Sequence, residues 1–485
     1  MKNNIDKKNK AGESLKLLLL AVIFLFAFSF VPIEQEFIGL NLHTVDVFSD
    51  LSKEPETEED YEYDEDYFDM QDDFFDTQDT SESNDTSHDY EAAKDKINYA
   101  SVGLLNLFKD SDLLYFAPAL QGKRQPIQGN TSQLKNFFNQ LNNSKNRIVR
   151  IAHYGDSGIE GDLITADLRQ EFQRKYGGEG VGFLGITSQD TKFRQTTTQR
   201  FSNDWETAAI YSHNPKNLPV GISGEVFIPE GNSWVEYETS RRYRTVKNFS
   251  KFRLFYSNAK ASEVKYTVDG SNRGAIKLRP GSGIQEAVID VGKNASKLRL
   301  EFSREQAYFY GISLEGGNGV YIDNLPLRGN SGVDLNNISA DVLRDFARYL
   351  DYDLILLQFG LNAAGSITAK YDWYEREMVN VIKNLQKAFP RAGIVLISAH
   401  DKSVRKGSNF VTDPAIVKLL KSQMEIAKNG DIAFWNLFEM MGGLNSMAKW
   451  VDANPPLAFK DYIHFNGQGA EKVAGMLYNA IMDAK

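Results

Sequence analysis

The chain has no cysteine in its 485 residues. Disulfides, a thiol nucleophile, zinc–thiolate sites and iron–sulfur clusters are thereby excluded. Histidine is sparse, with six in all. His43 and His88 lie in the N-terminal and acidic stretches, and His153, His213 and His400 fall at no metal-ligand spacing. No metal and no cofactor is expected. A phosphate-cradling P-loop is missing, and so is the interleaving of basic and aromatic residues that marks nucleic-acid binders. What is present is length and apolar content. With 42% hydrophobic residues the chain can build real cores, and its length predicts two or three units.

Charge is unevenly spread. Residues 1–16 form a basic segment, with Lys2, Lys7, Lys8, Lys10 and Lys16 ahead of the apolar run "LLLLAVIFLFAFSFVPI" at 17–33. A basic flank before such a run is an export or membrane signal. The run is near the lower length limit for spanning a bilayer. It reads as an uncleaved anchor, with the bulk of the chain outside the cytoplasm, or as a signal peptide cut near Ala27-Phe28-Ser29. Bulky Phe30 and Val31 after that tripeptide favour the anchor. Residues 34–94 then form an acidic linker. Like-charge density such as the about 18 Asp and Glu at 54–91, with no Lys or Arg among them, resists compaction and predicts a disordered tether. Setting that stretch aside turns the net charge of −10 into about +8, a mildly basic remainder that suits an acidic polymer outside the membrane.

Residues 95–190 and 321–485 read as two parts of one α/β domain, interrupted by a β-rich insertion at 191–320. In the first part "TSQLKNFFNQLNNS" has helical spacing, "RIVRIAHYG" reads as a buried strand and "LITADLRQEFQRKYGG" as a helix stopped by Gly177-Gly178. In the insertion, short alternating runs such as "GEVFIPEG", "SWVEYETS" and "KLRLEFS" are separated by Gly, Asn, Pro and Ser. That texture predicts an antiparallel sandwich or jelly roll. In the last part helices and strands alternate again, which implies a parallel sheet covered on both faces. The strand at 147–154 needs that sheet for its burial, so the sandwich reads as an insertion.

Sites in open α/β sheets form beyond the carboxyl ends of the strands. Ser157 follows the first strand, in "GDSG". Asn362 follows the strand at 353–359, in "GLNA". Gly332 lies in "RGNSG" before a helix, and "DYIH" puts Asp461 three residues ahead of His464 near the last helix. Each has an ordinary reading as a cap, turn, hinge or loop residue. Together they supply an acyl-transfer site. Ser157 needs a base, and His464 can act near neutral pH. His464 needs a carboxylate on its other nitrogen, and Asp461 can reach it. The backbone N–H groups of Ser157 and Gly332, with the Asn362 amide, could hold the oxyanion. Asp156 reads as a cap or brace, Asp162 as a further candidate for contact, and His153 and His400 as core residues at strand ends.

These blocks resemble those of the GDSL/SGNH hydrolase family. "GDSG", "GNSG", "GLNA" and "DYIH" are similar to its four blocks in order, and "HFNGQGAEKVA" to its closing helix. The resemblance covers 147–190 and 320–485. It implies a three-layer, flavodoxin-like parallel sheet, Ser157 as nucleophile, His464 and Asp461 as its partners, and Gly332 and Asn362 as oxyanion residues. Two positions depart from the pattern: Gly158 stands where Leu is usual, and Ala363 where an acidic residue is usual. The G-x-S-x-G elbow of α/β-hydrolases is absent, since residue 159 is Ile. With its inserted module the chain is similar to peptidoglycan O-acetylesterases of Gram-negative bacteria that carry a carbohydrate-binding-like domain at that place. The resemblance therefore implies removal of acetate from a cell-envelope glycan, in an enzyme held at the inner membrane facing the periplasm or exported. Two alternatives stay open: an O-acetyltransferase acting on a polysaccharide, and an inactive envelope protein that binds glycan.

Overall fold

A computed structural model describes residues 36–37, 40–41, 125–212, 214–365 and 370–485. The apolar run at 17–33 and the acidic stretch at 54–91 lie outside the described residues. The chain divides into two units, 1–67 and 68–485. In the first, Glu36–Phe37 pairs antiparallel with Leu40–Asn41. Among the described residues no helix is long and apolar enough to cross a membrane.

The second unit is built on a parallel sheet of five strands: β1 (Ile148–Gly155), β2 (Gly319–Pro326), β3 (Tyr352–Gln358), β4 (Gly393–Ile397) and β5 (Ala433–Trp435). A short antiparallel strand, Gln128–Gly129, edges β5. The spatial order is β2-β1-β3-β4-β5, the flavodoxin-like order, whose direction reverses between β1 and β3. Strands buried on both faces must be apolar on both. In β3, Leu354 and Leu356 point to one core and Ile355 and Leu357 to the other. The first core is closed by α1 (Lys135–Asn142), α2 (Thr165–Tyr176) and α6 (Gly467–Asp483), through Phe137, Phe172 and Leu477. The second is closed by α3 (Ala340–Ala347), α4 (Asp372–Ala388) and α5 (Pro414–Asn429), through Phe346, Met378 and Leu419. Helix starts follow their caps: Ser339 accepts from Val342 N–H, Asp413 from Ala415 N–H with Pro414 in the first turn, and Asn466 from Gln468 and Gly469 N–H.

Between β1 and β2 the chain forms two antiparallel sheets. Trp205–Ala209, Glu225–Pro229, Phe249–Ser257, Gln285–Ala295 and Tyr308–Glu315 belong to one, with Gly182–Leu184 on its side, and Thr197–Phe201, Trp234–Thr239, Ser262–Val268, Asn272–Leu278 and Lys297–Glu301 to the other. Phe252, Leu254, Phe309, Val235, Val264 and Leu298 share the core of this region. The sequence pattern placed no strand at Gly319–Pro326, yet this is β2. Its apolar run is broken by Asp323 and Asn324, which are buried here and paired. Asp323 takes both oxygens to Arg150 at 2.9 Å and also accepts from Phe183 N–H and the Tyr352 hydroxyl. Arg150 also meets Glu315, which Arg253 reaches at 3.2 Å. This buried ion network ties β1 and β2 to the antiparallel sheet, where Glu315 and Arg253 reside.

Candidate active site

Strand β1 ends at Gly155, where nothing larger fits. A Cβ there would lie 2.9 Å from the Gln358 carbonyl oxygen and 2.9 Å from the Ile159 side chain. Asp156 N–H donates to the same carbonyl at 3.3 Å, which pins the turn to β3. The Asp156 carboxylate then accepts from Gly158 N–H at 2.9 Å and caps a 3-10 turn that begins at Ser157. Capping therefore falls to Asp156, and the Ser157 hydroxyl is used elsewhere.

The Ser157 Oγ lies 3.1 Å from His464 Nε2, and His464 Nδ1 lies 2.7 Å from Asp461 Oδ2. An ionised carboxylate only accepts, so Nδ1 carries the proton and the Nε2 lone pair faces the serine hydroxyl. Burial alone would raise the Asp461 carboxyl. The His464 hydrogen bond and charge, with the N–H groups of Ile463 and His464 on Oδ1, outweigh it and hold the group below the usual carboxylate range. The chain Ser157–His464–Asp461 can thus deprotonate a nucleophile, store the proton on imidazole and return it to a leaving group.

Several groups brace this chain. Tyr462, inside the D-x-x-H turn, has a left-handed φ of 61°, a strained state for an aromatic residue. Ser403 N–H donates to its carbonyl at 3.0 Å. Phe410 stacks on its ring at 3.6 Å between centroids. His400 Nε2–H donates to Ile463 O at 2.7 Å and packs on Phe465. His153, under the serine turn, bonds Gln358 Oε1 at 3.1 Å and Thr165 Oγ1 at 2.9 Å. Burial lowers both histidines to about 4, so both are neutral braces. Asp162 pairs with Arg169 at 2.7 and 3.0 Å and accepts from Thr196. That buried pair holds the loop after the serine turn, and Asp162 makes no hydrogen bond to the Ser157–His464–Asp461 chain.

Gly332 and Asn362 stand on the loops after β2 and β3, the two neighbours of β1. Gly332 has φ of 95°, and a Cβ on it would lie 2.8 Å from the Phe359 ring. Its N–H donates to Asn330 Oδ1 at 2.6 Å, and the Asn362 amide donates to Asn330 O at 3.1 Å. Asn330 in turn donates to Asp334 at 2.5 Å. One buried asparagine therefore fixes both residues. Sequence reasoning passed over it, although it is the second letter of "GNSG"; only the Gly of that block was weighed. Among the described residues no group of three acidic or histidine side chains gathers as a metal site requires.

Neither a protein-family model nor any curated protein sequence matches this chain. Solved structures do. A peptidoglycan O-acetylesterase superposes with a TM-score of 0.60 at 22% identity, over 73% of this chain and 97% of that one. The two chains share a fold. An acetyl xylan esterase aligns at a TM-score of 0.27 and 19% identity, over 33% of this chain and 81% of that one. A family two carbohydrate esterase from Cellvibrio japonicus aligns at 0.22 and 12%, over 60% and 99%. The last two scores are too low to bear on the site.

Proposed function

We propose that the protein is a serine esterase that removes O-acetyl groups from a cell-envelope glycan, peptidoglycan foremost. The observation that carries this reading is the continuous hydrogen-bonded chain from Ser157 Oγ through His464 to Asp461. In the first half-reaction Ser157 Oγ attacks the acetyl carbonyl carbon while its proton passes to His464 Nε2. The C–O bond to the sugar then breaks, and the sugar oxygen takes that proton. In the second half, water gives a proton to His464 and attacks the acetyl-serine. Acetate leaves and Ser157 regains its proton. The Asn362 amide has a second N–H beyond the one given to Asn330, and it would serve the oxyanion. Gly332 N–H would join by sharing or leaving the Asn330 contact. Asp461 stays ionised and steadies the imidazolium. The shared fold of a peptidoglycan O-acetylesterase and the basic, apolar N-terminus support the substrate class and a place in the envelope, as an anchored or exported protein.

The test is acetate release from O-acetylated peptidoglycan by the full chain and by Ser157→Ala. The substitution should lower the rate at least about 10³-fold. Equal release by the two proteins would end the nucleophile assignment. Acetate gained by the glycan, instead of released to water, would replace hydrolysis with transfer.

A further inference from the structure

Beside the serine turn lies a second polar recess, where the parallel sheet meets the antiparallel region. Its cavity volume is about 50 Å³, more than the roughly 10–15 Å³ that one water needs, so it takes a small substituent and not a whole sugar ring. Its floor comes from the loops of the site: Glu160 is three residues after Ser157, and Arg328 lies between β2 and Gly332. Its wall is Arg194, Tyr211, Ser223 and Glu225. The two parts are laced together. Gly161 N–H donates to Asp190 Oδ2 at 3.0 Å, Gln195 N–H donates to Gly161 O at 3.0 Å, and Asp190 grips Arg194 at 2.9 Å.

Two polar groups of the wall lack partners among the described residues. The Arg194 side chain is 5% exposed, yet its Nη1 makes no hydrogen bond. Ser223 is 8% exposed, and its Oγ is likewise unmatched. A buried polar group left unpaired costs about 1–3 kcal/mol. Both atoms show less than 1 Å² to solvent, so a ligand gains their bonds by turning the Ser223 hydroxyl and the guanidinium toward the recess. The Tyr211 hydroxyl donates to one oxygen of Glu225 at 2.8 Å, and that carboxyl adds acceptor capacity. Phe183 and Leu325 supply an apolar surface. Charge is close to balanced: Arg194 pairs with Asp190, and Arg328 lies 3.7 Å from Glu160. Burial pushes Glu160 and Glu225 up to about 7, so neither brings a full charge near neutrality. Such a lining suits an uncharged ligand. Donors for a carbonyl oxygen, an acceptor for an N–H and an apolar surface for a methyl are together the complement of a secondary acetamide.

We propose that the recess binds the 2-acetamido group of a sugar residue in the acetylated glycan, Arg194 Nη1 and Ser223 Oγ donating to the amide oxygen and Glu225 accepting from its N–H. The inference rests on the glycan-esterase reading above for its substrate class. It would hold one sugar by that group while the acetyl ester of the same strand meets Ser157.

The test is a calorimetric titration of the full chain carrying Ser157→Ala with chitotetraose and with cellotetraose, which lacks the acetamido groups. Chitotetraose should bind at least about tenfold more tightly than cellotetraose. Adding Ser223→Leu should fill the recess and weaken chitotetraose at least about tenfold, and Ser223→Ala, which removes one donor, about threefold or more. Equal affinity for the two sugars, no binding of chitotetraose, or an affinity indifferent to both Ser223 substitutions would overturn the proposal. If Ser223→Leu loses its cooperative thermal transition, Ser223→Ala decides alone. Chitotetraose binding, with no acetate released from O-acetylated peptidoglycan by the protein with Ser157 intact, would sink the esterase reading and leave the recess standing. Acetate release without the sugar preference would do the reverse.

Discussion

Asp156 is 4% exposed, and burial pushes its carboxyl up to about 6 from the ordinary 3.8, although Gly158 N–H and the His464 charge pull it down. A carboxyl raised in the folded state binds its proton more tightly there than in the unfolded chain. Folding is therefore weakened as pH rises from 3.8 to 6, and the penalty persists above. Asp156→Asn keeps an oxygen for the Gly158 cap and removes the charge. It should raise stability at pH 7.5 by up to about 3 kcal/mol, seen as a higher melting temperature, with the gain vanishing below pH 4. The same change withdraws a negative charge from the neighbourhood of the imidazolium, so the rate on an acetyl ester should fall. A melting temperature no higher than wild type at pH 7.5 would refute the stability argument. At this scale the sequence was informative where chemistry is local. The Asp461–His464 spacing and the Asp156 cap depend on near neighbours. Asn330's bond to Gly332 is local as well, but its bond to Asn362 on the other loop was invisible.

The elements that hold the site differ in how far their contacts reach. The hairpin Ser403–Lys406 and Asn409–Thr412 follows β4 and leans on the histidine turn through Phe410 on Tyr462 and Ser403 N–H on the Tyr462 carbonyl. An aromatic stack of this kind contributes about 0.5–1.5 kcal/mol beyond burial. Here that contribution falls on a residue strained at φ of 61°. Phe410→Ala should release the turn and cut kcat about tenfold or more, because small displacements of catalytic groups are costly, while the melting temperature changes little. Phe410→Tyr should restore most of the rate. Turnover of Phe410→Ala equal to wild type would show that the turn holds without the hairpin. The sequence showed the long elements well, since β1, β3, β4 and the amphipathic α4, α5 and α6 have strong apolar periods. It did not show the hairpin or β2. A short polar hairpin has little pattern, and β2 hides Asp323 among partners from other strands and Asn324 against Ile159 of the serine turn and Thr165 of α2.

Within the second unit, Arg150, Asp323, Glu315 and Arg253 tie the two sheet systems together. Burial alone would raise Glu315, but the Arg150 and Arg253 guanidiniums outweigh it and lower its carboxyl to about 2. A carboxyl depressed in this way contributes stability that is full above its ordinary 4.5 and is lost as pH falls toward 2. Glu315→Gln should cost about 3 kcal/mol at pH 7, because Arg150 then keeps only Asp323 and Arg253 only Glu286 as carboxylate partners. In urea unfolding the gap from wild type should narrow steadily between pH 4.5 and 2. A gap that stays constant over that range would refute the ionic origin. The sequence by itself determined the long helices, the strands β1, β3 and β4, the β-rich interruption and the four short blocks that hold the chemistry, because these follow from local periodicity and near-neighbour spacing. Tertiary structure alone decided that Ser157 meets His464 across 307 positions, that an unrecognised strand completes the parallel sheet, and that Arg194 and Ser223 line a recess beside the serine turn. Those outcomes rest on contacts between distant segments, whose partners no local pattern names.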